Sequence, residues 1–192
     1  MGGRGASSGN RFDPLKVPSK LKEHYDKIKN RPVEELRAEV NKANDNYNKV
    51  QNADKIYQKM IEYAKSKGYK FEESSNIPGN GRALMSNKKP TLITVKPNLS
   101  TEGKIKTLAH ELGHARLHHV SKGKINKGIK EFEAETVGHM VAGKYGIDTK
   151  NYSYTYTTGW LQREGVGKSQ IDASFSNSLS AYYDIVNYVG QP

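Results

Sequence analysis

The stretch Thr107-Leu108-Ala109-His110-Glu111-Leu112-Gly113-His114 decides how this chain is read. On a helix, two histidines four residues apart project from one face within reach of a single ion, and the glutamate after the first points at the space beside it. Ser100 or Thr101 is placed to cap such a helix, with Glu102 at the positive end of its dipole, and the helix is predicted to run to about His119. A zinc ion held by His110 and His114 lowers the pKa of water to about 7, which makes Glu111 the expected base in an attack on a carbonyl. Three specified residues recur by chance in many chains, so the surrounding sequence has to decide.

A second carboxylate source follows in Glu131-Phe132-Glu133-Ala134-Glu135, on a helix predicted from Ile125 to Tyr145 and stopped by Gly146. At about 100° per residue, Ile129, Phe132, Val137, Met140 and Val141 form one apolar arc. Glu133 falls near the centre of that arc, while Glu131 and Glu135 point to the opposite side. A carboxylate on a buried face is costly unless compensated, and a metal ion compensates it. Glu133, 19 residues after His114 (133 minus 114), is therefore the expected third ligand, with Glu135 taking its place if the helix is rotated. Zinc is the expected metal and manganese the alternative. The chain has no cysteine, so the ligands must be imidazole and carboxylate. The competing reading, surface histidines beside an acidic patch, leaves Glu133 unexplained. His118 continues the stripe of His114 and stands either behind the ligands or, as histidines near helix ends commonly do, in solvent. Hydrolysis also needs a donor for the developing oxyanion. Tyr154, in a Tyr- and Thr-rich loop after the Glu133 helix, is the first choice, ahead of Tyr156, Arg82 and His139.

Working outward, residues 1–15 read as a flexible tail, 16–68 as a helical amino-terminal extension, and 69–192 as the domain carrying the site. Pro18 to about Lys29 is helical, and a long amphipathic helix follows Pro32 through Val33, Leu36, Val40, Ala43, Tyr47 and Val50. A third helix starts after Asp54 and ends at Gly68. Short strands are expected at Tyr69–Phe71, Ala83–Ser86 and Thr91–Val95. Pro90 and Pro97 bracket the last, which assigns it to a sheet edge where an extended peptide can add as a further strand. A final helix spans Ser169 to Val189. The fold class is α+β: a small, mostly antiparallel sheet packed on the HExxH helix and a following glutamate helix, preceded by amino-terminal helices.

The chain has 192 residues and a net charge of +11. Residues 1–70 hold 16 Lys/Arg against 9 Asp/Glu, so +7 of that charge lies in the amino-terminal third. Nucleic acid is one partner such basic helices suit; solvated lysines on exposed faces are the plainer account. Mean hydropathy is -0.83 and no stretch is long enough to cross a bilayer, so no membrane partner and a cytosolic location are expected.

Lys106 to His118, followed by Glu131-Phe132-Glu133-Ala134-Glu135, resembles the ImmA/IrrE metallopeptidases. The pattern is similar in more detail to the zincin domains of ArdC-like anti-restriction proteins of mobile elements. In those, a segment similar to Asp148–Trp160, with its Tyr-x-x-Gly-Trp ending, also follows the glutamate helix. The resemblance spans about residues 83–165, and the DNA-binding domain of ArdC proteins has no counterpart in the first 70. It implies a zincin-like domain and a zinc-dependent endopeptidase acting on a narrow cytosolic protein substrate, such as a repressor or regulator of a phage or mobile element. The alternative it carries is a non-proteolytic anti-restriction or nucleic-acid- or protein-binding module on the same scaffold.

Overall fold

A computed structural model describes residues 11–87, 89–118 and 125–192. Residues 1–10 of the tail expected over 1–15, and His119, lie outside these; residues 11–15 are described and are not a free tail, because Phe12 packs against the core and Asp13 caps a turn at Pro14–Lys16. Among the described residues the elements are α1 (Val17–Ile28), α2 (Val33–Ala43), α3 (Ala53–Ser66), β1 (Lys70–Glu73), β2 (Gly81–Ser86), β3 (Lys89–Val95), α4 (Thr101–Leu117), α5 (Lys127–Lys144), α6 (Lys150–Arg163) and α7 (Ser169–Val189). None of these helices is long and apolar enough to cross a membrane.

The class is α+β, as expected, but the sheet is mixed. Its order is β1-β3-β2, with β1 parallel to β3 and β2 antiparallel to it. The strand over Thr91–Val95 is therefore central rather than at the edge, and Ile93 and Val95 are fully buried. Pro90 is tolerated because it pairs with Met85 where the β2/β3 register shifts, so its missing N–H falls at an irregularity, and Pro97 lies beyond the strand. The edge next to the HExxH helix belongs to β2.

Helix α4 is the centre of the molecule. Ser100 Oγ accepts from Gly103 N at 3.0 Å, the expected cap, and Ile105, Leu108, Ala109 and Leu112 are fully buried between the sheet, α3 and α5. Helix α5 lies alongside, capped by Asn126, whose Oδ1 accepts from Gly128 N at 2.7 Å. Two glycines let them touch. A Cβ on Gly113 would lie 3.0 Å from Ala134 Cα, and one on Gly138 would lie 3.2 Å from the Lys106 carbonyl. This close approach brings the histidines of α4 against the glutamates of α5.

The amphipathic run from Pro32 does not continue to Val50, because α2 ends at Ala43 and Asp45 takes a left-handed conformation (φ 53°). Residues 44–52 instead close the ends of other helices. Asp45 accepts from Ser100 N at 2.9 Å, Val50 N donates to the buried Glu102 at 3.0 Å, and the Asn48 side chain bonds Gly146 O and Asp148 N. These long-range caps outcompete two more helical turns. The Tyr/Thr segment is a helix rather than a loop. Threonine and tyrosine are weak helix formers, but Thr157 and Thr158 return their hydroxyls to the carbonyls of Ser153 and Tyr154, and α6 is held by α1, α2 and α5.

Candidate metal centre

On α4, Lys106, His110 and His114 recur at intervals of four, with Thr107 and Glu111 beside them, and this stripe lines the floor of a cleft of about 640 Å³. The Nε2 atoms of His110 and His114 are 3.1 Å apart. The Glu131 carboxylate lies 3.6 Å from the first and 3.5 Å from the second. Among the described residues, these three side chains form the group whose donor atoms fall within 4.8 Å of one another. Tetrahedral bonds of about 2.1 Å would separate neighbouring ligand atoms by about 3.4 Å, close to these distances, so the two imidazoles and the Glu131 carboxylate, which meets one with each oxygen, would suit one small divalent ion.

The electrostatics fit as well. Burial works against a charge on His110, yet Glu131 and Glu135 on either side raise its pKa to about 10. For Glu131, burial again opposes ionisation, and the two imidazoles nevertheless hold it well below the usual carboxylate range. The pocket thus stabilises positive charge between these three side chains, where the cation would sit. Glu111 is 7% exposed, and burial pushes its carboxyl pKa up. It reaches the cleft beside the imidazoles because Gly81, the first residue of β2, leaves room: a Cβ there would lie 2.9 Å from Glu111 Cγ and Oε1.

Each imidazole is held from behind. His110 Nδ1 lies 2.7 Å from Glu135, whose carboxylate also meets Lys106 Nζ at 2.8 Å and accepts from Ser153 Oγ at 2.7 Å. Burial opposes ionisation of Glu135, but Lys106 and His110 hold its pKa at about 2. His114 Nδ1 lies 3.0 Å from His118 Nδ1, and His118 Nε2 lies 3.0 Å from Glu133. A proton on His114 Nδ1 implies one on His118 Nε2, so the Glu133 carboxylate, by accepting from His118, sets the direction of this chain and leaves His114 Nε2 directed toward His110 Nε2.

The group of donor atoms that the structure brings together therefore contains Glu131, not the expected Glu133. The apolar arc misled because α5 is buried around nearly its whole circumference, by α4, α6 and α7, so a hydrophobic arc no longer marks the side facing the site. Glu133 is compensated without an ion, by His118 and by Asn177 Nδ2 at 3.3 Å, and Glu135 stands behind His110. His118 is buried rather than solvated.

Tyr154 does not reach the cleft. On a helix it points about 200° away from Tyr152, and its ring packs between His139 (4.8 Å) and His24 (5.7 Å). His139 is buried there, with Nδ1 2.8 Å from Thr149 Oγ1. Tyr152 and Tyr156, four apart and stacked at 5.5 Å, line the cleft instead, as does Arg82 on β2. Tyr156 donates to Glu131 at 2.8 Å, and Lys106 Nζ lies 3.8 Å over the Tyr152 ring. Sequence reasoning missed Lys106, Ser153, Tyr152 and Gly81. Lys106 alone gave a signal, as a cation one turn before His110 on the same stripe.

A family model described as the IrrE N-terminal-like domain, Peptidase_M78, matches residues 65–176, more than half of the chain. No curated protein matches the chain, and no solved structure does.

Proposed function

The chain belongs to the Peptidase_M78 family of IrrE N-terminal-like domains, and on that premise we propose that it is a zinc-dependent endopeptidase with a narrow protein substrate. The observation that carries this is Glu111. A metal site that only braces a fold needs no base, whereas here a carboxylate kept weakly acidic by burial stands beside the imidazoles, on an open cleft. His110, His114 and Glu131 would hold the ion, which when bound would supply a Lewis acid for the substrate carbonyl and lower the pKa of water; manganese is the alternative occupant.

The remaining roles belong to the chain. Glu111 takes a proton from the attacking water as the C–O bond forms, and returns it to the nitrogen as the C–N bond breaks. Tyr152 and Arg82, on the cleft wall, are the donors for the carbonyl oxygen; burial and then Glu135 raise the Tyr152 pKa, so its hydroxyl keeps its proton. The edge of β2 that faces away from β3 borders the cleft, and an extended peptide added there would run beside His110 and His114. This replaces the docking expected on Thr91–Val95. A cytosolic regulator of a phage or mobile element is the substrate class that the ImmA/IrrE and ArdC-like patterns favour.

To test this, wild type and Glu111→Gln are loaded with zinc, and metal content is measured beside cleavage of a peptide mixture read by mass spectrometry. One equivalent of zinc in both, with cleavage only by wild type, is expected. Equal product from both proteins, or no metal in either, would sink the assignment.

A further inference from the structure

A second cavity, of about 250 Å³, adjoins the first cleft and runs between α2 and α6; Val40, Asn41, Tyr152 and Tyr156 line both. Its walls are two helical stripes at steps of three and four. Val33, Leu36 and Val40 come from α2, and Tyr152, Tyr156, Gly159 and Arg163 from α6, with Trp160 beside them. The α2 wall lies outside the segment that the family model matches.

Two observations say what it takes. The first is Gly159, a buried residue inside α6. Glycine weakens a helix relative to alanine, yet nothing local requires it: its φ is not positive, and a Cβ there would meet no atom closer than 4.0 Å. Its effect is to leave open floor. The second is charge. Arg37 and Arg163 line the groove, and no Asp or Glu does. The Arg163 guanidinium lies 4.1 Å from the Trp160 ring centroid and donates Nε to Gly159 O, and its Nη2 lies 4.0 Å from where a Gly159 Cβ would stand, at the floor of the groove. The arginine ion pairs among the described residues belong to Arg31 and Arg116, not to these two.

We propose that the α2–α6 groove is a specificity subsite for an acidic side chain of the substrate, with its alkyl stem over Gly159 and Trp160 and its carboxylate at Arg37 and Arg163. This rests on the peptidase reading and names the substrate class of the same site. One tyrosine side chain, Tyr156, stands between the groove and Glu131, so the acidic residue lies within about two extended residues of the scissile bond.

The test uses zinc-loaded full-length protein and synthetic peptides randomised around a fixed centre. Cleavage products are expected to be enriched in Asp or Glu within two positions of the cut. In Arg37→Gln/Arg163→Gln, preference for Glu over Gln there falls about fivefold. Gly159→Leu, which fills the floor without meeting a neighbour at Cβ, also lowers it, and Lys59→Gln on α3 keeps the wild-type preference. Glu111-dependent cleavage with no acidic enrichment, or enrichment unchanged in both variants, overturns the subsite and leaves the peptidase reading standing. In parallel the same peptides are captured on zinc-loaded Glu111→Gln. Acidic enrichment there that is lost in the double arginine variant supports the groove even if wild type cuts nothing, and its absence overturns the groove.

Discussion

Gly81→Ala adds one methyl group at the tightest point between the sheet and α4. That carbon would lie 2.6 Å from Thr107 Cγ2 and 2.9 Å from Glu111 Cγ and Oε1, against about 3.5 Å or more for carbon atoms in unstrained contact. The backbone at Gly81 is not in the left-handed region, so alanine fits the strand and the whole effect is steric. Strand and side chain must separate by about 0.5–1 Å, and Glu111, packed against Thr107, takes much of that shift. A displacement near 1 Å of a group that must meet its proton in line costs about a hundredfold in rate, or about 2.7 kcal/mol of barrier. Overpacking costs about 1–3 kcal/mol of stability. The His110, His114 and Glu131 donors are not touched, so zinc affinity should stay within a few-fold. The assay is kcat on a cleaved peptide, with metal content by mass spectrometry and a thermal melt on the same sample. A folded, zinc-replete variant with kcat within about threefold of wild type would refute the placement of Glu111 as base.

Glu131→Gln should weaken zinc binding by well over a hundredfold, whereas Glu133→Gln, which acts through His118, should cost about 10–100-fold; competition against a chromogenic chelator ranks the two, and the reverse order would restore Glu133 as ligand. Lys106→Met leaves Glu135 buried without its cation, and a loss of about 3–5 kcal/mol in urea unfolding is expected. His139 is buried, which lowers its pKa from 6.5 to about 4. The unfolded chain therefore binds this proton first, and up to roughly 3 kcal/mol of stability present above pH 6.5 is lost as pH falls toward 4. In metal-free protein, His139→Asn should flatten that slope between pH 4.5 and 7, and parallel profiles would rule the contribution out.

How far the sequence could be read depended on how local each cause was. Helix α4 was legible because cap, dipole and both histidines sit within one run of residues. The position of α5 was legible, but its rotation was not, since an apolar arc identifies the buried face only when the opposite face meets water, and α5 has almost no such face. The helix over Lys150–Arg163 was hidden because Tyr, Thr and Asn argue against a helix locally and only packing on α1, α2 and α5 reverses the balance. Two prolines spoke for an edge, yet β3 is central because strand order is set by contacts with residues 70–73 and 81–86, which no property of residues 89–95 reveals. The contribution of α2 to the cleft was likewise out of reach, because helix periodicity gives a face without naming what it meets.

The caps that residues 44–52 place on α4 bear on any attempt to make a smaller protein. A fragment trimmed to residues 65–176 would begin inside α3 and end within α7. It would lose Asp45 from Ser100 and Val50 from Glu102, and with them the closure of the first turn of the helix that carries both histidines. At the other end it would shed Asn177 and Ser178, which hold Glu133 in place behind His118. Such a fragment keeps every proposed zinc donor and discards what aims them, so a fragment meant to keep His110, His114 and Glu131 in this arrangement has to be longer than the stretch that identifies the family.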